Sequence, residues 1–256
     1  MQFKKSKMTK ITQAFIFAAG RGERMRPLTD SIPKPLIKIK NKSIIDYTLE
    51  KLEEISEIKT IVINGFYLAD QIEEHILKLN NPKIIFSREV EKVETGGGLL
   101  FAKDKINFNQ PLLTINGDVL WQEKSIISDI ELISQAWNAK ECDILIGLKK
   151  TQDYLGYDGN IHGGGDFILQ GNQLYRFSDQ AMSHVFVGLQ IINPKVILER
   201  CEKEISEKCF SMSYFYKCAV GEGGLLHRVK GVELQGKYFH IGKVDAVKMT
   251  EENIKV

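Results

Sequence analysis

Residues 18–36 read AAGRGERMRPLTDSIPKPL, a run that leaves an apolar segment and gathers glycines, arginines, a lysine and prolines into one loop. Gly20 and Gly22 allow the backbone to turn tightly and bring N–H groups against an anion, while Arg24 and Arg26 offer charge-assisted, bidentate contacts to phosphate. Pro33 and Pro35 restrict the chain on both sides of Lys34, so its ammonium is presented from a stiff segment. This is phosphate-binding chemistry, but of neither familiar kind. A Walker A loop needs Gly-Lys-Ser/Thr at its end, and a dinucleotide fingerprint needs a third glycine where Met25 stands. Without its continuation, the Gly-x-Gly alone also fits a solvated basic turn.

Three further places carry chemistry. Asp118 closes the apolar run LLTINGD, where a carboxylate is costly unless water, a hydrogen bond or a cation compensates it; capping a turn after Gly117 is the alternative. The stretch ETGGG, residues 94–98, is a glycine-rich turn that can open a helix with Thr95 as its cap. His240 stands in YFHIGK near the end of the chain, and the other histidines, His75, His162, His184 and His227, are scattered without a catalytic pair by spacing. No Ser-His-Asp or paired-carboxylate signature is present, so whatever reaction occurs must not need one.

The elements that position these residues follow two periods. AFIFAAG and TIVING are short apolar runs closed by glycine, as buried strands are; Ile45, Leu49 and Leu52, then Leu68, Ile72, Ile76 and Leu79, follow with helical spacing. The alternation continues through KIIFS, a helix near residues 98–103, LLTINGD, a helix around 130–137, and DILIGL. Such alternation predicts an α/β domain with a mostly parallel sheet covered on both faces, with ligands beyond the carboxyl ends of its strands. The loop after AFIFAAG, the Gly97 region and Asp118 all fall near such ends. The second half is less regular: NIHGGGDFILQGNQLYRF reads as a glycine-rich loop and a small antiparallel excursion, HVFVGLQII as a long strand, GVELQGKYFHIG as a last strand pair, and the tail from Asp245 as a helix.

Composition narrows the class of partner. The 256 residues are 43% hydrophobic, enough for one sizeable core, and 35 Lys and Arg stand against 33 Asp and Glu, so the global field favours neither nucleic acid nor a membrane surface. Cys142, Cys201, Cys209 and Cys218 form no Cys-x-x-Cys pair and read as reduced packing residues, which suits a cytoplasmic protein. Lys4, Lys5, Lys7 and Lys10 before AFIFAAG imitate a signal peptide, but Thr12 and Gln13 break the approach to a minimal apolar run, and no run is long enough to cross a bilayer.

The continuation RMRPLTDSIPKPL resembles the signature of sugar-1-phosphate nucleotidylyltransferases, in which Gly-x-Gly-x-Arg precedes Pro-Lys-Pro. The resemblance extends through NGFYLADQI, ETGGGL and INGDVLW. It is close to the branch of N-acetylmuramate-1-phosphate uridylyltransferase and mannose-1-phosphate guanylyltransferase-like proteins. It is dense over residues 14–121 and thin afterwards, with FVGLQIINP and YFHIG as later anchors. It implies a single Rossmann-like (GT-A-like) domain over residues 1–256, with a nucleotide-binding half in 1–121, a sugar-phosphate-binding half in 122–256 and no C-terminal repeat domain.

The resemblance further implies roles. Arg24, Lys34 and Asp118 would be catalytic. Ala19, Gly20, Gly22 and Asn116 would join Arg24 and Lys34 on the nucleotide, with Glu94, Gly96 and Gly97 beside its base and ribose. Phe186, Gly188 and Asp166 would face the sugar, residues 163–166 forming either a lip over it or a simple hairpin connection. The substrates would be a nucleoside triphosphate and a sugar 1-phosphate, with UTP and N-acetylmuramate 1-phosphate ahead of GTP and mannose 1-phosphate, in a monomer or small homo-oligomer.

Asp118 would be a Mg²⁺ ligand. The family's second metal aspartate, however, lies in Trp-x-Asp-Val-Gly-Thr, and here His240 takes its place, with Lys243 where Thr is usual. Magnesium prefers hard oxygens, so His240 leaves three readings open: direct coordination of a softer ion such as Mn²⁺, a hydrogen bond to metal-bound water, or a structural histidine. The last would suit a non-catalytic nucleotide-sugar-binding protein. A phosphocholine-type cytidylyltransferase shares the first loop and would need an aromatic cage, for which Tyr154, Tyr157 and Phe186 are the candidates.

Overall fold

The computed structural model describes residues 10–157, 164–175, 181–204, 208–219 and 228–255. The chain runs through β1 (Gln13–Phe17), β2 (Lys38–Ile39), β3 (Lys42–Ser43), α1 (Ile44–Glu53), β4 (Thr60–Gly65), α2 (Ala69–Leu79), β5 (Ile84–Arg88), α3 (Glu94–Phe101), β6 (Leu112–Asn116) and β7 (Val119–Gln122). It continues with α4 (Asp129–Ala136), β8 (Ile144–Lys150), β9 (Tyr154–Leu155), β10 (Ile168–Gln170), β11 (Gln173–Tyr175), β12 (His184–Ile192), α5 (Pro194–Glu204), α6 (Ser213–Ala219), β13 (Val229–Glu233), β14 (Lys237–His240) and α7 (Val244–Asn253).

These elements form a single α/β domain around a 9-stranded mixed sheet in the order β10-β11-β13-β8-β12-β6-β1-β4-β5. The run β6-β1-β4-β5 is parallel throughout, and β12 enters antiparallel between β6 and β8. Alternation along each strand sends side chains to opposite faces. In β1, Ala14 and Ile16 pack with Ile45 and Leu49 of α1, Ile72 of α2 and Ile133 of α4. Phe15 points the other way, into a cluster with Leu99 of α3, Ile197 of α5 and Phe215 of α6. Burying both faces explains why these strands are almost wholly apolar. Local signals agree with the packing: the Ser43 side chain caps α1 by accepting from Asp46 N–H, and Ser128 and Glu131 make a reciprocal capping box at α4.

Because β1, β4, β5 and β6 run in parallel, their carboxyl ends lie along one edge, and the loops that leave them share that edge. A second, 3-stranded sheet in the order β7-β14-β9 packs beside it. No described helix is long and apolar enough to cross a membrane.

Several expectations shift in detail. β13 and β14 do not pair with each other: β13 joins β8 in parallel, whereas β14 pairs antiparallel with β7. α3 starts at Glu94 instead of Gly98, and Leu79 is 41% exposed at the end of α2. Cys142 is buried as expected, but Cys209 is exposed. His162, Gly163 and His227 lie outside the described residues, as do the side chains of Cys201 and Cys218.

Candidate active site

The opening loop is folded tightly. Its residues make three short 3₁₀ turns, Glu23–Met25, Leu28–Asp30 and Lys34–Leu36. Met25 anchors the first turn, fully buried in a cluster with Ile39, Ile44, Leu120 and Phe239. Gly22 is required by geometry: its φ is 63°, and a Cβ there would meet Thr29 Cγ2 at 2.8 Å. Thr29 Oγ1 donates to the Gly22 carbonyl at 2.8 Å, and the Tyr67 hydroxyl donates to the Thr29 carbonyl at 2.9 Å. The loop is thus built into the body of the protein, while Arg24 is exposed at its lip.

At the end of β6, Gly117 N–H donates to the Phe17 carbonyl at 2.9 Å, which brings the next residue, Asp118, against the mouth of β1. Lys34 Nζ donates to Asp118 Oδ2 at 2.7 Å, joining residues 84 apart in sequence. His240 Nε2 lies 3.6 Å from the same oxygen. The β7–β14 register, which sets His240 opposite Val119, puts it there, and Ile241 N–H holds the Asp118 carbonyl at 2.9 Å. Burial raises the proton affinity of the Asp118 carboxyl, but the charge of Lys34 and then contacts with His240 outweigh it and hold the group well below the usual carboxylate range.

Lys34 and Asp118 meet the opening loop at a cavity of about 430 Å³ whose walls include Ala19, Gly20, Gly22 and Arg24 but not His240. Glu94 and Asn116 also reach it. Gly96 and Gly97 do not serve it through their amides, because both N–H groups donate to the Phe210 carbonyl. Of the residues expected to face the sugar, none lines this cavity, and Gly188 packs directly against the Asn116 side chain. Asp166 is engaged by the protein: its Oδ2 accepts from Phe186 N–H at 2.9 Å and its Oδ1 from the Tyr157 hydroxyl at 3.4 Å. Tyr157 stacks on Tyr154, and Tyr154 sits 6.0 Å from the His240 ring, so a row of side chains runs from His240 to Asp166. Phe186 instead meets Tyr216 edge-on. These rings therefore spend their faces on one another and on His240, and the cage a choline-like cation needs is not formed by them. Of the other histidines, His75 bonds Asp46 at 2.7 Å between α2 and α1, and His184 meets Ser183 Oγ at 2.8 Å.

Sequence reasoning missed a pair in this wall. Asn64, at the end of β4, accepts the Ala18 N–H at 2.7 Å and donates to Glu89 Oε1 at 2.6 Å, and all of these groups are buried. The pair holds the first residue of the opening loop as it leaves β1. An asparagine inside TIVING was the available signal. Arg21, without a role by sequence, lies 5.7 Å over the Phe66 ring at the cavity wall, and Arg26 bridges Asp30 on the surface.

Burial pushes the Glu89 carboxyl up to about 7, despite the hydrogen bond from Asn64 and with a further push from Glu94. A raised carboxyl binds its proton more tightly in the folded chain, so stability falls as pH rises from the unfolded value through about 7. Glu89→Gln keeps an acceptor for Asn64 and removes that titration. Between pH 5 and 8, urea unfolding should show the wild type losing up to about 3 kcal/mol relative to the variant. Parallel pH profiles would dismiss the assignment.

A divalent cation fits this site only in one manner. Among the described residues no group of three or more His, Cys, Asp or Glu side chains could hold a metal. Asp118 with His240 beside it is a sparse donor set, suited to an ion that arrives with phosphate oxygens and water already bound.

Comparison with known proteins agrees with this geometry. A sequence profile described as nucleotidyl transferase matches residues 13–178. The chain is 32% identical over 240 residues to an N-acetylmuramate alpha-1-phosphate uridylyltransferase of Caulobacter vibrioides, covering 91% of this chain and 93% of that protein. It is 42% identical over 111 residues to the protein of the same name from Neisseria meningitidis serogroup B, a match spanning 42% of this chain and 47% of that one. The inositol-1-phosphate CTP transferase from T. maritima shares the fold at 15% identity, with a TM-score of 0.72 over 97% of this chain and 100% of that one. A profile match across more than half of the chain and the near full-length relative, in agreement with a Gly20–Arg24 loop and strand-end aspartate meeting at one cavity, make this protein a sugar-1-phosphate nucleotidyltransferase of the nucleotidyl transferase family.

Proposed function

We propose that the chain transfers a uridylyl group from UTP to N-acetylmuramate 1-phosphate. The observation that carries the reaction type is the meeting of the Gly20–Gly22 loop, Lys34 and Asp118 at one cavity. The choice of substrates is supported by the near full-length likeness to the Caulobacter enzyme.

A phosphate oxygen of the sugar 1-phosphate attacks the α-phosphorus of UTP, forming a new P–O bond. The bond from that phosphorus to the bridging oxygen of the β-phosphate breaks, and pyrophosphate leaves with the electron pair. The nucleophile is already anionic near neutral pH, so the protein's task is positioning and charge stabilisation. Gly20 and Gly22 bring backbone N–H groups to the triphosphate. Arg24, at the lip, neutralises charge growing on the departing pyrophosphate, and Lys34 contacts phosphate beside the reacting centre. Glu94 and Asn116 flank the nucleotide, and Gly188, Phe186 and Asp166 shape the sugar side.

Asp118, with His240, would hold a divalent ion, Mg²⁺ or Mn²⁺, which when bound neutralises phosphate charge. An imidazole beside the carboxylate favours the softer ion, so Mn²⁺ should support faster turnover than Mg²⁺. His240→Asp should reverse that order, read as the ratio of initial rates with each ion; an unchanged ratio would remove His240 from the metal's surroundings.

The test of function is pyrophosphate release measured for four nucleoside triphosphates crossed with N-acetylmuramate 1-phosphate, mannose 1-phosphate and other sugar 1-phosphates. UTP with N-acetylmuramate 1-phosphate should give the highest kcat/KM. A faster pair of any other composition overturns the substrate assignment, and no release with any pair overturns the activity.

A further inference from the structure

The first residues of α3 adopt a conformation that their own sequence does not favour. Glu94 has φ 58°, the left-handed region that residues with side chains seldom hold. Val93, Glu94 and Thr95 nevertheless form part of the cavity wall. What holds them is residues 208–212, which follow α5 and come from the other half of the chain. Gly96 N–H and Gly97 N–H donate to the Phe210 carbonyl at 2.9 and 3.1 Å, and Phe210 N–H donates back to the Val93 carbonyl at 3.2 Å. Met212 N–H donates to Thr95 Oγ1 at 2.9 Å, across 117 residues of sequence.

Side chains complete the clasp. The Phe210 ring occupies the space that a Cβ on Gly96 would need, and the Lys208 carbonyl does the same at Gly97, where Val93 Cβ would stand 2.8 Å away on the other side. The Phe210 ring is held in turn edge-on to Phe215, at 6.2 Å and 76°. The glycines of ETGGG thus admit this segment, and the amides of Gly96 and Gly97 are committed to the Phe210 carbonyl. These two amides are not available to phosphate, and the start of α3 offers a wall whose position is set by Phe210.

We infer that Phe210 is a positioning residue for the nucleotide. It fixes the wall formed by Val93, Glu94 and Thr95 from the sugar-phosphate half, so the nucleotide pocket is complete only when the two halves are docked. This rests on the reading of the cavity as the nucleotide site.

The test is UTP affinity by calorimetry without sugar phosphate, alongside steady-state kinetics and Tm, using UTP or whichever triphosphate the substrate survey selects. In Phe210→Ala the Kd and KM for the triphosphate should rise about tenfold, with kcat changed less than about twofold. Phe210→Leu keeps an apolar side chain over Gly96 and serves if the alanine variant does not fold; its rise should be about threefold. Wild-type affinity in either folded variant, with only Tm lowered, overturns the inference and leaves the functional reading intact. A wild-type protein that binds no triphosphate overturns the functional reading and this inference together.

Discussion

Asp118→Asn is expected to lower kcat about 10²- to 10³-fold while the chain remains folded, by analogy with the removal of one preorganised electrostatic group from a transition state. The aspartate sits where the β6–β7 turn meets the end of β1; its carbonyl is held by Ile241 N–H, and the preceding Gly117 N–H is held by the Phe17 carbonyl. Asparagine fits the same volume, so geometry survives and charge does not. The variant also deprives Lys34 of its partner. Because the Lys34 side chain is 11% exposed, loss of this charge-assisted hydrogen bond should cost about 1–3 kcal/mol in urea unfolding. Adding Lys34→Met should recover part of that stability and none of the turnover. Pyrophosphate release within tenfold of wild type in the single variant would take Asp118 out of the mechanism.

Arg24→Ala should cost a similar 10²- to 10³-fold in kcat/KM, with unfolding changed by no more than about 1 kcal/mol. The reason is its place: it belongs to a 3₁₀ turn pinned by buried Met25 and left-handed Gly22, so its backbone is rigid while its side chain reaches the cavity. Since the residue is exposed, little packing is lost with it. The reverse reaction separates this role from general loop disruption. If Arg24 holds the departing group, the KM for pyrophosphate should rise more than the KM for nucleotide-sugar, and Arg24→Lys should restore only part of the loss because a point charge replaces a planar fork. Equal effects on both reverse substrates would assign Arg24 to the fold of the loop.

Much of the fold was legible in the sequence because the central strands are buried on both faces and closed by glycine, which marks AFIFAAG, TIVING and LLTINGD without ambiguity. The strand-end rule then placed the opening loop and Asp118 on the same edge. What escaped depends on partners distant in sequence. GVELQGKYFHIG reads as a last strand pair, and nothing local reveals that β14 prefers β7, while β13 prefers β8. The start of α3 was placed too late because three consecutive glycines disfavour helix, and the segment that stabilises them lies more than a hundred residues downstream. The Lys34–Asp118 contact was invisible for the same reason: sequence could assign both residues to phosphate chemistry, but not to each other. Asn64 stands out in the sequence only as a polar residue inside the apolar run TIVING, and its link to Glu89 needs the partners that the fold supplies.

The order β7-β14-β9 has a consequence for how the protein is made. The strand formed last in the chain is the middle strand of its sheet, so β7 and β9 emerge from synthesis earlier and must wait for it. Contacts of such long sequence separation form slowly, because chain entropy is lost before they can reward it. His240 reaches Asp118 only when that strand is seated. The approach of His240 to Asp118 is therefore among the last contacts the chain can make.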